Sequence, residues 1–372
     1  MAAIDSRELG HRIQESRTRR GMSQDGLASQ VGIERSAVSK IESGARKVSA
    51  LELAHIAEAL GVRMAHFFKE PTPALVSHRS SQRLDTVDSR IDEHLAEIAE
   101  DVELTQRLGA LSLASPGDPW AHPHSRADAE AMARRAREGL GVGQSEPLVG
   151  LARRFAHLGL LVFSRDMGND VADAGTLLLR RGGVTLVNSA NKIGRRRLAA
   201  AHELGHYLVG DQYTVDYRVS LASESSIESR LDDFARALLL PGPAVEAQWK
   251  HVDGNEGHRA AAVILASTFR VDMSTLARRL LDLDLIDSST AGLIRNTVTT
   301  AADMIEFDLH VAADELAGTT QAGPYQKAVI QLVRESQIST ARAYDLLWGT
   351  VEEEELPAPR QRDAHEIWSF TS

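Results

Sequence analysis

The 372-residue sequence contains no cysteine. That absence excludes disulfides, thiolate-held iron–sulfur clusters, cysteine zinc fingers and cysteine nucleophiles. Any metal must therefore be held by histidine and carboxylate. No apolar run reaches the roughly 18–20 residues of a membrane-spanning helix. The opening stretch, MAAIDSRELGHRIQ, has no apolar segment before a cleavage site and is not expected to be a signal peptide. A cytoplasmic protein with no membrane partner is expected. Positive charge is also in short supply: 42 Lys+Arg against 52 Asp+Glu give a net charge of −10. Such a balance argues against a chain that coats nucleic acid indiscriminately. The imbalance is uneven, because residues 1–70 hold 11 Lys+Arg and 9 Asp+Glu, leaving −12 for the remainder. A near-neutral to basic module on an acidic body is compatible with a DNA-reading head.

What is present fits a globular chain: 43% apolar and 25% charged residues, at a length that suggests two or three domains. Residues 1–69 read as about five short helices. Leu9 and Ile13, Leu27 and Val31, Val38 and Ile41, and Leu51, Leu53, Ile56 and Leu60 fall at helical spacing. Gly21, Gly32, Gly44 and Gly61 punctuate them, and Ser23 and Ser49 are expected N-caps. Residues 70–145 read as a helical connector, with helices over 86–110 and 127–140 and a Pro/Ser/Gly-rich linker at 111–125. From Pro147 the texture changes. A helix over 147–158 leads to a buried strand at Leu160–Phe163, and runs at 176–179 and 184–187 flank a hairpin signal, Arg-Arg-Gly-Gly. Helices follow at about 192–209 and 226–240, closing a domain at 146–255. Residues 256–352 are helical by period, with segments at 262–269, 273–283, 290–314, 323–336 and 339–349, and 353–372 is an acidic, polar tail.

The strongest chemical signal is His202-Glu203-Leu204-Gly205-His206, an H-E-x-x-H motif inside a helical pattern. One helical turn separates the two histidines, so both imidazoles face one ion. Glu203 lies about 100° round the helix, placed to act as general base on a metal-bound water. Ala199, His202, His206 and Val209 share one stripe, so the histidines point where the apolar residues point. The alternative is a surface helix with two unrelated histidines. A zinc hydrolase site needs a third protein ligand. Glu228 shares a stripe with Leu231, Ala235 and Leu238, a carboxylate on an apolar face, which needs a partner such as a metal. Its alternative role is a first-turn carboxylate favourable to the helix dipole. Glu224 is the rival ligand, expected before the helix. Asp232, one turn beyond Glu228, is placed to accept from the free ring nitrogen of a ligating histidine.

These residues resemble the ImmA/IrrE metallopeptidase family over about 150–245. The resemblance is carried by Arg196, the Ala-His202-Glu203-Leu204-Gly205-His206 core, and Glu228-x-x-Leu231-Asp232-x-Phe234-Ala235 running into Leu-Leu-Leu-Pro241. It implies a small zincin-like domain with a short sheet, an active-site helix and a glutamate third ligand. It also implies cleavage of a repressor protein that releases stress or mobile-element genes. The Glu228/Asp232 spacing is also similar to that of the gluzincin peptidases. One departure is visible: the family usually has Ala-Asn where this chain has Leu231-Asp232.

A second motif is Ser23-Gln24-x-x-Leu27-Ala28-x-x-Val31-Gly32-Ile33 followed by Ser36-x-Val38-Ser39-Lys40-Ile41-Glu42-Ser43-Gly44. Its pattern is that of a helix-turn-helix: Ala28 is small at the helix crossing, Gly32 makes the turn, and Val38 and Ile41 anchor the second helix. A helical protein–protein module is the alternative. The stretch resembles XRE/Cro repressor heads. By that resemblance Gln24 contacts phosphate and braces the recognition helix, Arg35, Ser36, Ser39 and Lys40 face the major groove, and Arg46 and Lys47 meet the DNA backbone.

Weaker features have bland readings beside functional ones. His122 and His124 flank Pro123, a pattern open to a metal-binding reading, but in a Pro-rich stretch they are expected to be solvated. Arg195–Arg197 is either a seat for an acidic substrate segment or a solvated face. Arg17, Arg19 and Arg20 end a helix, where cations suit the dipole. Tyr207, Tyr213 and Tyr217 are candidates to polarise a scissile carbonyl. The segment from Tyr325 to Thr350 resembles helical tails of other XRE–ImmA fusions, as a second helix-turn-helix or a dimerisation unit.

The expected fold is mainly α with a small α+β domain: a lambda-repressor-like five-helix head, a zincin-like domain with a short sheet, and a helical C-terminal region. Two functions survive. One is a zinc-dependent endopeptidase joined to a DNA-binding head, with Zn²⁺ on His202, His206 and Glu228 and with Mn²⁺ as the alternative ion. Its expected partners are a double-stranded DNA operator, a repressor (or its own head) as substrate, and a second copy in a homodimer. The other is a regulator whose peptidase-like domain senses a ligand or partner without cutting.

Overall fold

The computed structural model describes residues 5–19, 22–60, 64, 67, 75–79, 89–114, 117–168, 172–210, 221–309 and 314–358. The chain divides into two compact units, Met1–Thr72 and Pro73–Ser372.

The first unit holds α1 (Ser6–Arg19), α2 (Gln24–Val31), α3 (Arg35–Glu42) and α4 (Ala50–Leu60). Ser23 caps α2 by accepting from Gly26 N at 3.0 Å. Gly32 ends α2 at φ 74, its N–H returning to Ala28 O. Ser49 caps α4 reciprocally with Glu52. Ile13, Leu27, Ala28, Val38, Ile41, Leu53, Ile56, Leu60 and Phe67 form the core. Gly10 is the unexpected requirement: a Cβ there would lie 2.2 Å from Ile41 O, so only glycine lets α1 meet α3. The expected fifth helix falls on 61–69, mostly outside the described residues.

The second unit is built on a four-stranded sheet in the order β1-β3-β4-β2. The strands are β1 (Leu75–Arg79), β2 (Leu160–Arg165), β3 (Ala174–Leu178) and β4 (Gly183–Asn188). β3 and β4 form the expected antiparallel hairpin, and β2 joins β4 in parallel. β1 comes from the expected connector and pairs antiparallel with β3. The helices are α5 (Ser89–Arg107), α6 (Arg126–Gly139), α7 (Leu151–Phe155), α8 (Ile193–Val209), α9 (Leu221–Leu239), α10 (Gly242–Phe269), α11 (Met273–Asp282), α12 (Ser288–Arg295), α13 (Ala301–Glu306), α14 (Gly323–Arg334) and α15 (Thr340–Leu346).

Alternate residues of β2 explain its continuous apolar run, because both faces are covered. Leu160 and Val162 join one core with α6, α8, α9, α10 and α11. Leu161 and Phe163 join another with α5, α14 and α15. The segments read as connector and as C-terminal region therefore supply helices to the two cores that sandwich the sheet. The 111–125 stretch is not a free linker either: Leu111 and Leu113 are buried, and Trp120 N donates to Leu208 O at 2.8 Å.

Three helices differ from expectation. The one over 147–158 shrinks to α7 and a following 3₁₀ turn, because Gly150 precedes it in the left-handed region at φ 70. The one over 290–314 is two helices, α12 and α13. The second starts from a capping box between Thr300 and Asp303, preceded by Thr297-Val298-Thr299, which disfavours helix. The one over 262–269 is the end of α10, which bends at Gly257 (φ 81). Among the described residues no single helix is long and apolar enough to cross a membrane.

Candidate metal centre and helix-turn-helix head

α8 begins after an extended Lys192 and ends at Gly210, which adopts φ 65 and returns its N–H to His206 O and Tyr207 O. In its arginine run, Arg196 and Arg197 are neither a substrate seat nor a solvated face. Arg197 is fully buried, bonding Leu148 O and Glu315 at 2.5 Å each. Arg196 is buried on Ser189 O, Asn191 O and Asp314. Arg195, more exposed, pairs with Asp173 at 2.9 Å. These pairs fix the start of the helix. Further along, Gly205 lets α9 approach: a Cβ there would lie 3.0 Å from Phe234 and 3.1 Å from Leu231.

That approach brings Glu228 and Asp232 over the two histidines. His202 and His206 are buried and Glu203 is fully buried, while Glu228 is half exposed. His202 Nε2 lies 3.1 Å from His206 Nε2 and 3.1 Å from Glu228 Oε2, and His206 Nε2 lies 3.3 Å from Glu228 Oε1. On the other side of the ring, His202 Nδ1 lies 2.9 Å from Asp232 Oδ1. A carboxylate only accepts, so Nδ1 carries the proton and Nε2 of a neutral ring presents its lone pair to the cluster. Two imidazole nitrogens and one carboxylate then converge, an arrangement that a cation would satisfy. With no ion between them, protonated imidazoles would take its place: burial raises the Glu228 carboxyl, and hydrogen bonds and charge from such rings outweigh it, holding the group below the usual carboxylate range.

The spacing fits a metal. Ligand atoms about 2.05 Å from a tetrahedral zinc lie about 3.3 Å apart, close to the three separations in this cluster. Among the described residues, His202, His206 and Glu228 form the one group able to converge on an ion. His122 and His124 take no part in it. α9 starts at Leu221, earlier than expected, so Glu228 lies two turns in. Its alternative role as a first-turn carboxylate is thereby removed. Glu224 falls in the first turns of α9, with its side chain outside the described residues.

Of the three tyrosines, Tyr213 and Tyr217 lie outside the described residues. Tyr207 is buried, donates to Leu158 O at 2.9 Å and has its phenol pushed up by burial. It is committed to the protein interior and is not placed to polarise a substrate carbonyl.

In the head, Arg35, Ser36, Ser39, Lys40 and Lys47 are exposed. Ser36 Oγ donates to Glu34 at 3.1 Å. Gln24 Nε2 donates to Glu42 Oε2 at 2.8 Å, tying the start of α2 to the end of α3. Arg46 pairs with Glu52 at 2.6 Å, so a phosphate contact there would exchange one anion for another. Glu42 was not singled out in the sequence. It is buried and bonds Arg17 through both oxygens, at 2.6 and 3.1 Å. Arg17 therefore braces the head through an ion pair rather than serving only the helix dipole. Its partner lies too far along the chain to be recognised by spacing.

An exposed second helix on a braced helix-turn-helix, and an H-E-x-x-H helix closed by a glutamate from the next helix, define the two classes of domain present. Residues 8–66 match the model of the helix-turn-helix domain, and residues 155–281 match that of the IrrE N-terminal-like domain. The chain therefore carries an XRE-like helix-turn-helix domain at residues 8–66 and an IrrE N-terminal-like domain at 155–281. It is similar to the restriction-modification controller protein C.AhdI from Aeromonas hydrophila, at 37% identity over 17% of this chain and 94% of that one, with a TM-score of 0.17. It is also similar, at 14% identity over 91% of each chain and a TM-score of 0.18, to Bacillus thuringiensis PlcR, solved with the peptide PapR7 and DNA. No curated protein matches the sequence.

Proposed function

We propose that the chain is a DNA-binding regulator whose second unit is a zinc-dependent endopeptidase. The observation that carries this reading is the convergence of His202 Nε2, His206 Nε2 and Glu228 at 3.1–3.3 Å, with Asp232 on the far nitrogen of His202. His202, His206 and Glu228 would hold a zinc ion, which would supply a water of near-neutral pKa and polarise the scissile carbonyl. Glu203, on the same helix turn, would be the general base that carries a proton to the departing amide nitrogen. Asp232 holds His202 in the required tautomer. Manganese is the alternative ion for this donor set. The proposed substrate is a transcriptional repressor or the chain's own head, in a stress or mobile-element response in the cytoplasm. The head would read a double-stranded operator as a homodimer. Arg35, Ser36, Ser39 and Lys40 would lie in the major groove, with Gln24, Arg46 and Lys47 on the DNA backbone.

The second reading is a regulator that senses a ligand or partner without cutting, and the DNA-binding class of the head favours it, since a free protease needs no operator. Hydrolysis of unfolded, fluorescently labelled casein by the zinc-loaded chain separates the two. The endopeptidase reading predicts cleavage that falls about 10²–10⁴-fold in Glu203→Gln at equal zinc content. A chain that keeps its zinc and cuts no faster than Glu203→Gln would contradict it.

A further inference from the structure

The sheet of the second unit has two edges, and they are closed differently. On the β2 side, Ser164 and Thr320 exchange both backbone hydrogen bonds, at 2.9 and 3.0 Å, and their hydroxyls lie 2.6 Å apart. On the β3 side the covering strand is β1, antiparallel, with Ser77 opposite Thr176, His78 opposite Gly175 and Arg79 opposite Ala174. Its ladder is broken by a register shift between Leu75 and Ser77. β1 begins just beyond the end of the first unit at Thr72.

The β3 edge runs beside the metal helix. At one end, Asp173 precedes Ala174 and bonds Asn191 and Arg195, at 3.0 and 2.9 Å, where α8 begins. At the other end, Leu178 pairs with Gly183, which packs on the ring of Tyr207. β3 therefore follows α8 from Arg195 to Tyr207, and the turn between them carries His202, Glu203 and His206. α8 also packs against β1 itself. A chain laid along this edge passes the length of helix that holds the candidate metal site.

An endopeptidase must hold its substrate extended, and strand addition at a sheet edge does so through main-chain bonds with little demand on sequence. We infer that the β3 edge is the seat for an extended peptide substrate and that residues 75–79 occupy it in cis as an inhibitory strand. This rests on the endopeptidase reading. A tethered strand competes at an effective concentration of order millimolar, so a substrate gains the edge in the fraction of time that β1 leaves it, and the intact chain is slowed rather than silenced.

The test uses the full zinc-loaded chain and Ser77→Pro/His78→Pro. Successive amides of a strand alternate in direction, so the pair of prolines removes a bond to β3 whichever amide faces it. Hydrogen exchange is followed at residues 174–178, and hydrolysis of labelled, unfolded casein is measured with and without a peptide of sequence PALVSHRSSQ, residues 73–82. The inference predicts that the variant loses protection at β3 and cuts casein about tenfold faster or more, and that the peptide reverses both changes. Unchanged protection at β3, or equal rates from two active chains, would overturn it. Removal of the first 70–80 residues on zinc loading would also overturn it, making the strand a substrate. Should neither chain cut casein while both hold zinc, the endopeptidase reading fails. The seat is then decided by exchange alone, and protection that the peptide does not restore to the variant overturns it.

Discussion

His202 serves as a ligand only in one tautomer, and Asp232 is what selects it, at 2.9 Å from Nδ1. Asp232→Asn offers either an amide nitrogen or an uncharged oxygen in place of the carboxylate, so zinc affinity is expected to fall about 10–100-fold with the three ligands intact. Competition with a chelator measures this, and an unchanged affinity would show that the contact is incidental. At this scale much of the site was legible. The His202/His206 spacing sets both rings on one side, and Glu228 stood out as a carboxylate on an apolar stripe. The supports were not legible. Arg17 and Glu42 look like surface charges until the fold joins them. Arg196 and Arg197 read as part of a basic run, yet their acidic partners, Asp314 and Glu315, lie more than a hundred residues away.

At the scale of elements, the site depends on how closely α9 lies on α8. Gly205→Val would push side-chain atoms into Leu231 and Phe234, already 3.0–3.1 Å from where a Cβ would sit. Overpacking of this kind costs about 1–3 kcal/mol and moves Glu228 off the histidines. Lower urea stability together with weaker zinc binding is expected, and a variant unchanged in both would contradict the packing account. The short helices α12 and α13 depend on acidic caps. Hydrogen bonds from Thr290 and Ser289 hold Asp287 at about 2, below its ordinary 3.8. Arg259 first, and Thr300 after it, hold Asp303 lower still. A depressed carboxyl stabilises the fold above its unfolded pKa and loses that contribution as pH falls through its folded one. Loss of helical signal is therefore expected between about pH 4 and pH 2, and Asp287→Asn/Asp303→Asn should be less stable at neutral pH and flatter across that window. Identical acid profiles would refute the assignment. The break between these helices was hidden from periodicity because apolar residues continue through it at helical spacing. Only the Thr300–Asp303 pair marks the restart.

At the scale of the whole molecule, the head was read nearly complete, because its core contacts are local and its turns carry glycine and serine at fixed places. The second unit was read only in its middle. Amphipathic periodicity says that α5, α14 and α15 bury a face, not which surface they cover. They close the far side of the sheet, with Arg342 of α15 reaching Asp101 of α5 at 3.0 Å across most of the chain. Likewise nothing local distinguishes β1 from a linker. The proposed centre of the second unit is one metal ion on His202, His206 and Glu228, with Glu203 apart from the ligands. Metal content by mass spectrometry on wild type, Glu203→Gln and Glu228→Ala at matched concentration tests it directly. About one zinc per chain is expected in the first two, with loss in Glu228→Ala. No metal in any of the three after preparation with added zinc would contradict the account.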